Sequence, residues 1–292
     1  MNSALMEESG GERVQAIGFL IATAILWSSA GLLIKMISWN PIAIAGARSA
    51  IATLVLFVFL RRPHLTWSFA QIGGAVAFAA TVILFVSANK LTTAANAILL
   101  QYTSPIFAAL LGAWFLGERA TRLDWTTIFV VIGGMTLFFL DDLTTGGLWG
   151  NVCAIASGVT FACFVLFMRK QKNDSPLESV FLGNILTALI GFPFMFEAMP
   201  SASSWVGLIL AGVLQLGLSQ VLYAAAIKHV AALEAVLIAV VEPVLNPVWV
   251  LLVMGEAPGP WALLGGLVVL ASVMIRYIVG QYHISMSLRG TK

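Results

Sequence analysis

Ten apolar runs, each about twenty residues long and bounded by charges, prolines or polar clusters, constrain this chain more than anything else in it. They lie near residues 17–37, 42–60, 67–88, 94–116 and 124–140, then 148–168, 178–196, 204–227, 232–254 and 261–279. An α-helix rises about 1.5 Å per residue, so about twenty residues cross the hydrocarbon core of a bilayer. In lipid the backbone must satisfy its own hydrogen bonds, and a helix does so within one segment. The runs predict an all-α integral membrane protein of ten transmembrane helices. Composition agrees, at 60% hydrophobic, 10% charged and a mean hydropathy of +0.98, where soluble domains carry roughly 25% charged residues. Ten spans in 292 residues leave no length for a separate soluble domain. The first run is too long for a signal-peptide core, so it reads as a retained span.

Connections such as 61–66 and 141–147 are only a few residues long, so successive helices are expected to run antiparallel. Lysine and arginine hold loops on the cytoplasmic side. Arg13, Arg61, Arg62, Arg119, Arg122, Arg169, Lys170, Lys172, Lys228, Arg276, Arg289 and Lys292 all fall on one side, against Lys90 alone in the opposite loops. Both termini are therefore expected in the cytoplasm, with tails over 1–16 and 280–292. A net charge of only +2 offers nucleic acid no basic surface. Cys153 and Cys163, ten residues apart on one predicted helix, are too far apart along its axis to bridge.

Residues Ala88 to Glu118 align without gaps on Ala226 to Glu256 at an offset of 138, with eight of 31 positions identical. Lys90 meets Lys228, Pro105 meets Pro243, and Gly117-Glu118 meets Gly255-Glu256. A weaker match pairs Gly18, Ala30 and Met36 with Gly150, Ala162 and Met168. The chain thus divides into a first half over 17–140, a connecting loop over 141–147 and a second half over 148–279. Five spans per half is an odd number, so the halves are expected to be inverted in the membrane. Inverted repeats are a recurrent transporter design, with the site at the midplane between the halves.

The segments LWSSAGLLIK (Leu26 to Lys35), GARSAIATLVLF (Gly46 to Phe57), TTAANAILLQYTSPIFAALLGAWFLGE (Thr92 to Glu118), and Glu242 to Val244 followed by Gly255-Glu256 resemble the EamA-type transporters of the drug/metabolite transporter superfamily. The resemblance covers nearly the whole chain and is nearest to bacterial exporters of amino acids, aromatic ones included. It implies two five-helix bundles around a central cavity, alternating access, and a bacterial inner membrane. The sequence departs from the family pattern at Asn246-Pro247, where small residues are more typical.

Ionisable residues inside spans carry the most information, because a charge at the bilayer centre costs about 2.5–3.5 kcal/mol on insertion scales. Glu242 is near the middle of the ninth predicted helix, on a stripe with Glu234 and Asn246. Two roles fit it: binding a cationic group or a proton, or pairing with a buried arginine or with backbone freed by proline. Pro105, Pro243 and Pro247 each remove a backbone donor and are expected to bend their helices, either beside a binding site or simply to shape packing. Gln101, Tyr102 and Ser104, and the stripe Gln215, Ser219 and Tyr223, bring polar groups to the same depth. They serve as substrate contacts or as bonds between helices. Trp27 with Ser28, and Ser157 with Phe161 and Phe164, occupy corresponding helices of the two halves and suit cavity walls or packing. Arg48 and Lys35 suit a positive vestibule for a carboxylate; alternatively Arg48 pairs internally and Lys35 reaches the surface. Glycine pairs at 73–74, 133–134 and 265–266 suit close helix contact.

Secondary transport of a small metabolite, with amino acids as the favoured class and a proton as candidate coupling ion, is the expected function. Export of a nucleotide, sugar, cation or drug-like solute is the alternative, and a membrane-embedded enzyme the remote one. No catalytic, metal or cofactor residue is expected: His64, His229 and His283 fall in predicted loops or the tail, and no metal-ligand or Ser-His spacing occurs. The expected partners are the solute and the lipid bilayer, for a monomer or weak homodimer.

Overall fold

The computed structural model describes residues 2–138, 140, 147–174, 176–196, 200–254 and 259–289. Side chains at 2–10, 35, 94–95, 138, 203, 246–248, 250–251, 253–254, 262 and 280–289 lie outside the described set. Lys35, Asn246 and Pro247 are therefore placed by backbone alone. All described regular structure is helical: α1 (Asn2–Trp27), α2 (Ala30–Met36), α3 (Pro41–Leu60), α4 (Phe69–Leu91), α5 (Ala94–Gln101), α6 (Ser104–Phe115), α7 (Arg122–Phe138), α8 (Leu148–Lys170) and α9 (Pro176–Gly191), which tightens into a 3₁₀ turn (Phe192–Phe196). Then come α10 (Ala202–Leu210), a π-helical stretch (Ala211–Leu218), α11 (Ser219–Ala226), α12 (Ala232–Ala239), α13 (Val241–Met254) and α14 (Pro260–Arg289).

Local sequence explains where the helices start. Asn40 Oδ1 accepts from Ile42 N at 2.9 Å and Pro41 fills the first turn of α3, where no donor is missed. Ser68, Thr93 and Ser201 cap α4, α5 and α10 in the same way. Thr121 and Asp124 exchange bonds across the first turn of α7. Helical structure extends past the expected limits at both ends: α1 begins at Asn2 instead of Ile17, and α14 runs to Arg289 instead of stopping near 279.

Among the described residues, seven stretches are long and apolar enough to cross a membrane: Gly11–Ile34, Pro41–Leu60, Phe69–Leu91, Asn96–Phe115, Leu148–Lys170, Pro176–Phe196 and Ser204–Ala226. A shorter apolar helix covers Leu263–Val279. Outward faces expose Leu54, Val58, Phe129, Trp114, Trp149, Leu189 and Leu267, each more than 60% accessible. That surface is an aggregation hazard in water and a match to lipid.

Inside, α4 packs along α8 and α9, α3 along α9 and the π-helical stretch, α1 along α11, α2 along α10, and α7 along α14. Tight crossings sit at glycines. A Cβ built on Gly191 comes within 2.6 Å of Gly46 Cα and 2.8 Å of the Ile42 carbonyl oxygen, both backbone atoms, so α3 and α9 touch there through their main chains. Of the glycine pairs, Gly73 abuts the Phe167 ring and Gly134 abuts Val269, whereas Gly133 faces open space.

Gly191→Ala should therefore lower the thermal stability of the purified protein by the equivalent of about 1–3 kcal/mol, an overpacking penalty. Gly133→Ala should leave it unchanged or raise it by up to about 1 kcal/mol through helix propensity. Thermal unfolding in detergent compares the two, and equal effects would contradict the crossing.

Candidate functional site

Two helices break near their prolines, and the breaks meet. A proline at position i removes the hydrogen bond to the carbonyl at i−4. Pro105 thus frees the carbonyl of Gln101, where α5 ends before α6 resumes at Ser104. Pro243 frees the carbonyl of Ala239, where α12 ends before α13 resumes at Val241. Tyr102, at the first break, donates its hydroxyl to the Ala239 carbonyl at 2.8 Å. The same oxygen lies 2.6 Å from Glu242 Oε2. One hydroxyl proton serves one acceptor, so both contacts are filled when Glu242 also carries a proton. At the third proline position, 247, helical structure continues through α13.

This junction forms one side of a central void of about 70 Å³, room for a few waters. Aromatic faces wall it: Trp27 packs against Phe161 at 5.8 Å between ring centroids, and Phe164 against Phe78 at 5.2 Å. Gln101, Tyr102, Ser104, Gln215 and Glu242 also line it. Arg48 lines it too, only 2% exposed, and its Nε and Nη1 have no hydrogen-bond partner among the described residues. The sequence left Arg48 between an outer vestibule and an internal pair; the structure puts it inside and unpaired.

Other candidates lie one layer behind. Gln101 Nε2 donates to Ser157 Oγ at 2.8 Å, and Ser157 Oγ donates to the Thr81 carbonyl at 3.2 Å, tying α5 to α8 and α4. Trp27 Nε1 donates to Ser219 Oγ at 2.9 Å, and Trp249 Nε1 to Ser28 Oγ at 2.6 Å. Tyr223 is fully buried and stacks on Trp27 and Phe164. Ser28, Ser157, Ser219 and Tyr223 thus support the wall without lining the void. Glu234 does not share a face with the cavity: it pairs with Arg13 at 2.8 Å and lies 4.0 Å from Arg276, which itself binds Asp124 at 2.7 Å.

Phe78, Thr81, Val82, Phe85, Leu216 and Gln220 line the void and were not foreseen. The four on α4 recur at helical spacings of three and four, a signal present in the sequence. Gln220 was hidden by geometry. A π-helix closes i→i+5 bonds, which swings positions five apart toward one face, and the Ala211–Leu218 stretch brings Gln215 and Gln220 to the same void.

A bundle of membrane-spanning helices around an internal void lined by both aromatic and polar groups has the build of a solute transporter. The profile of the EamA-like transporter family matches the chain twice, at residues 14–140 and 148–278, so the chain belongs to that family and is a multi-pass membrane transporter. An uncharacterized transporter of Archaeoglobus fulgidus is 29% identical over 66% of this chain and 70% of its own length. The pseudopaline exporter of Pseudomonas aeruginosa is 25% identical over 77% of this chain and 82% of its own length. A probable terminal-alkyne amino-acid exporter of Streptantibioticus cattleyicolor is 30% identical over 62% and 63%. A crystal structure only 18% identical in sequence shares the fold, with a TM-score of 0.78 over 91% of this chain and 98% of that one.

Ser157→Ala should cost about 1 kcal/mol of stability, because it removes the hydrogen-bond partner of the half-buried Gln101 amide. Chemical denaturation in detergent measures this. A neutral result would show that the serine does not tie these helices together.

Proposed function

We propose that this protein exports small metabolites, foremost amino acids including neutral and aromatic ones, by alternating access between two inverted five-helix halves. The reading has ten spans, with 17–140 and 148–279 as the halves, both termini cytoplasmic, and a bacterial inner membrane as the setting. The observation that carries it is the void where the two broken helices interlock, walled by aromatics and edged by Arg48 and Glu242. Such breaks at corresponding depths of two halves mark transporter sites.

Internal symmetry supports the reading. The limits of α5 and α12 correspond at the offset of 138, since Gln101 maps to Ala239 and Ala94 to Ala232. Exchanging each helix for its counterpart converts the α4–α8 packing into that of α11 on α1. It also converts α4–α9 into the π-helical stretch on α3, and returns α3–α9 and α7–α14 to themselves. Two relatives are named exporters, one of them of an amino acid. The sequence has no nucleotide-binding motif, so the solute's own gradient or a proton gradient drives the flux. The Tyr102–Glu242 contact, which a proton on the carboxyl would complete, supports Glu242 as the coupling residue.

Liposomes containing the purified protein and loaded with labelled amino acids should release them, faster under an imposed pH gradient. Glu242→Gln should abolish that acceleration while leaving exchange of solute intact; undiminished acceleration would end the proton role. Absence of flux for all twenty amino acids would shift the reading to nucleotides, sugars or drug-like solutes.

A further inference from the structure

We propose that Arg48 is the anion receptor of the central void and that the transported solute carries a carboxylate which it binds. This rests on the transport reading above and names the substrate class for the same cavity. A guanidinium shut away from water is expensive unless an anion and hydrogen-bond acceptors surround it. Arg48 has neither among the described residues: Nε and Nη1 are unpartnered, and no ion pair joins it to Glu242 although both line the void. Ser104 Oγ, Gln215 Oε1 and Gln220 Oε1, on the same void, are likewise unpartnered. Five of the nine unpartnered buried side-chain atoms among the described residues thus belong to side chains on this void; the other four, on Ser49, Asn89, Asn184 and Tyr223, lie outside its lining.

The backbone beneath Arg48 is held from two sides. Two residues earlier, Gly46 meets Gly191 on α9, and the Arg48 carbonyl oxygen lies 2.9 Å from a Cβ built on Gly212 of the π-helical stretch. A planar guanidinium carried on this held backbone can match a carboxylate through two parallel bonds, a geometry lysine does not offer. Glu242 edges the same void as an acid, and the faces of Trp27, Phe161 and Phe164 lie with them. The complement of this lining is an α-amino acid with an apolar side chain, its carboxylate on Arg48 and its side chain against the aromatic faces.

Calorimetry on the purified protein tests the assignment with a panel of neutral amino acids, each beside its decarboxylated amine and its methyl ester. Wild type should bind the acids at least about tenfold more tightly than the amines or esters, and Arg48→Met should remove that preference. Arg48→Lys should keep part of it. Thermal unfolding of Arg48→Met should occur at or above the wild-type temperature, since an unpaired buried charge is lost; a marked drop would identify a structural arginine instead. Equal wild-type binding of acid and ester, no binding of any carboxylate in the panel, or undiminished acid binding by Arg48→Met would each overturn the proposal. Carboxylate-selective binding without flux in liposomes would leave the receptor standing and remove the transport reading. Equal flux of acids, amines and esters would do the reverse.

Discussion

A backbone in lipid has no water to fall back on, and every carbonyl it frees must find another donor. The architecture follows from how this chain meets that demand at its two prolines. Pro243 releases the Ala239 carbonyl, and the hydroxyl that takes it up belongs to Tyr102, beside the break that precedes Pro105. The second interruption is thereby completed from the first, so the α12–α13 helix cannot be understood alone. The junction also brings an acid to the hydroxyl, so a backbone repair and a protonatable site share one oxygen.

Polar side chains at this depth divide into two populations. Ser157, Ser28 and Ser219 use their hydroxyls on neighbouring helices, the ordinary use of such groups in membranes. Arg48, Ser104, Gln215 and Gln220 retain unmet capacity, and all four face the void. The void also holds bonded groups, Gln101 and Tyr102 among them, and Tyr223 behind its wall is unpartnered. Ion pairs form a third set: Arg13–Glu234, Arg169–Glu118 and Arg276–Asp124 join residues far apart in the chain, away from the void.

Much of this was legible in the sequence. Apolar run length sets the helices, and the prolines in register between the halves mark the breaks at Pro105 and Pro243. Trp27, Gln101, Tyr102, Phe161, Phe164, Gln215 and Glu242 could be nominated because polar and aromatic residues recurred at matching depths. Periodicity failed where the helix itself was irregular. A stripe drawn at 3.6 residues per turn put Ser219 and Tyr223 beside Gln215 and missed Gln220, because the π-helical stretch changes the period. The stripe joining Glu234 to Glu242 failed for a similar reason, since the break at Val240 separates the two helices that carry them. Partnerships were not legible at all: a single sequence shows that an arginine lies in a span, but not whether anything answers its charge.

The π-helical stretch has a mechanical consequence. It holds more residues per turn than the α-helices at its two ends, so α10 and α11 are joined by a length of chain with slack in its winding. Moving that excess one step along the helix rotates the side chains it passes while the ends stay where they are. Gln215 sits inside the stretch, beside Arg48's helix and on the void. This wall therefore has a way to turn a side chain that requires no hinge, no loop and no displacement of the surrounding bundle.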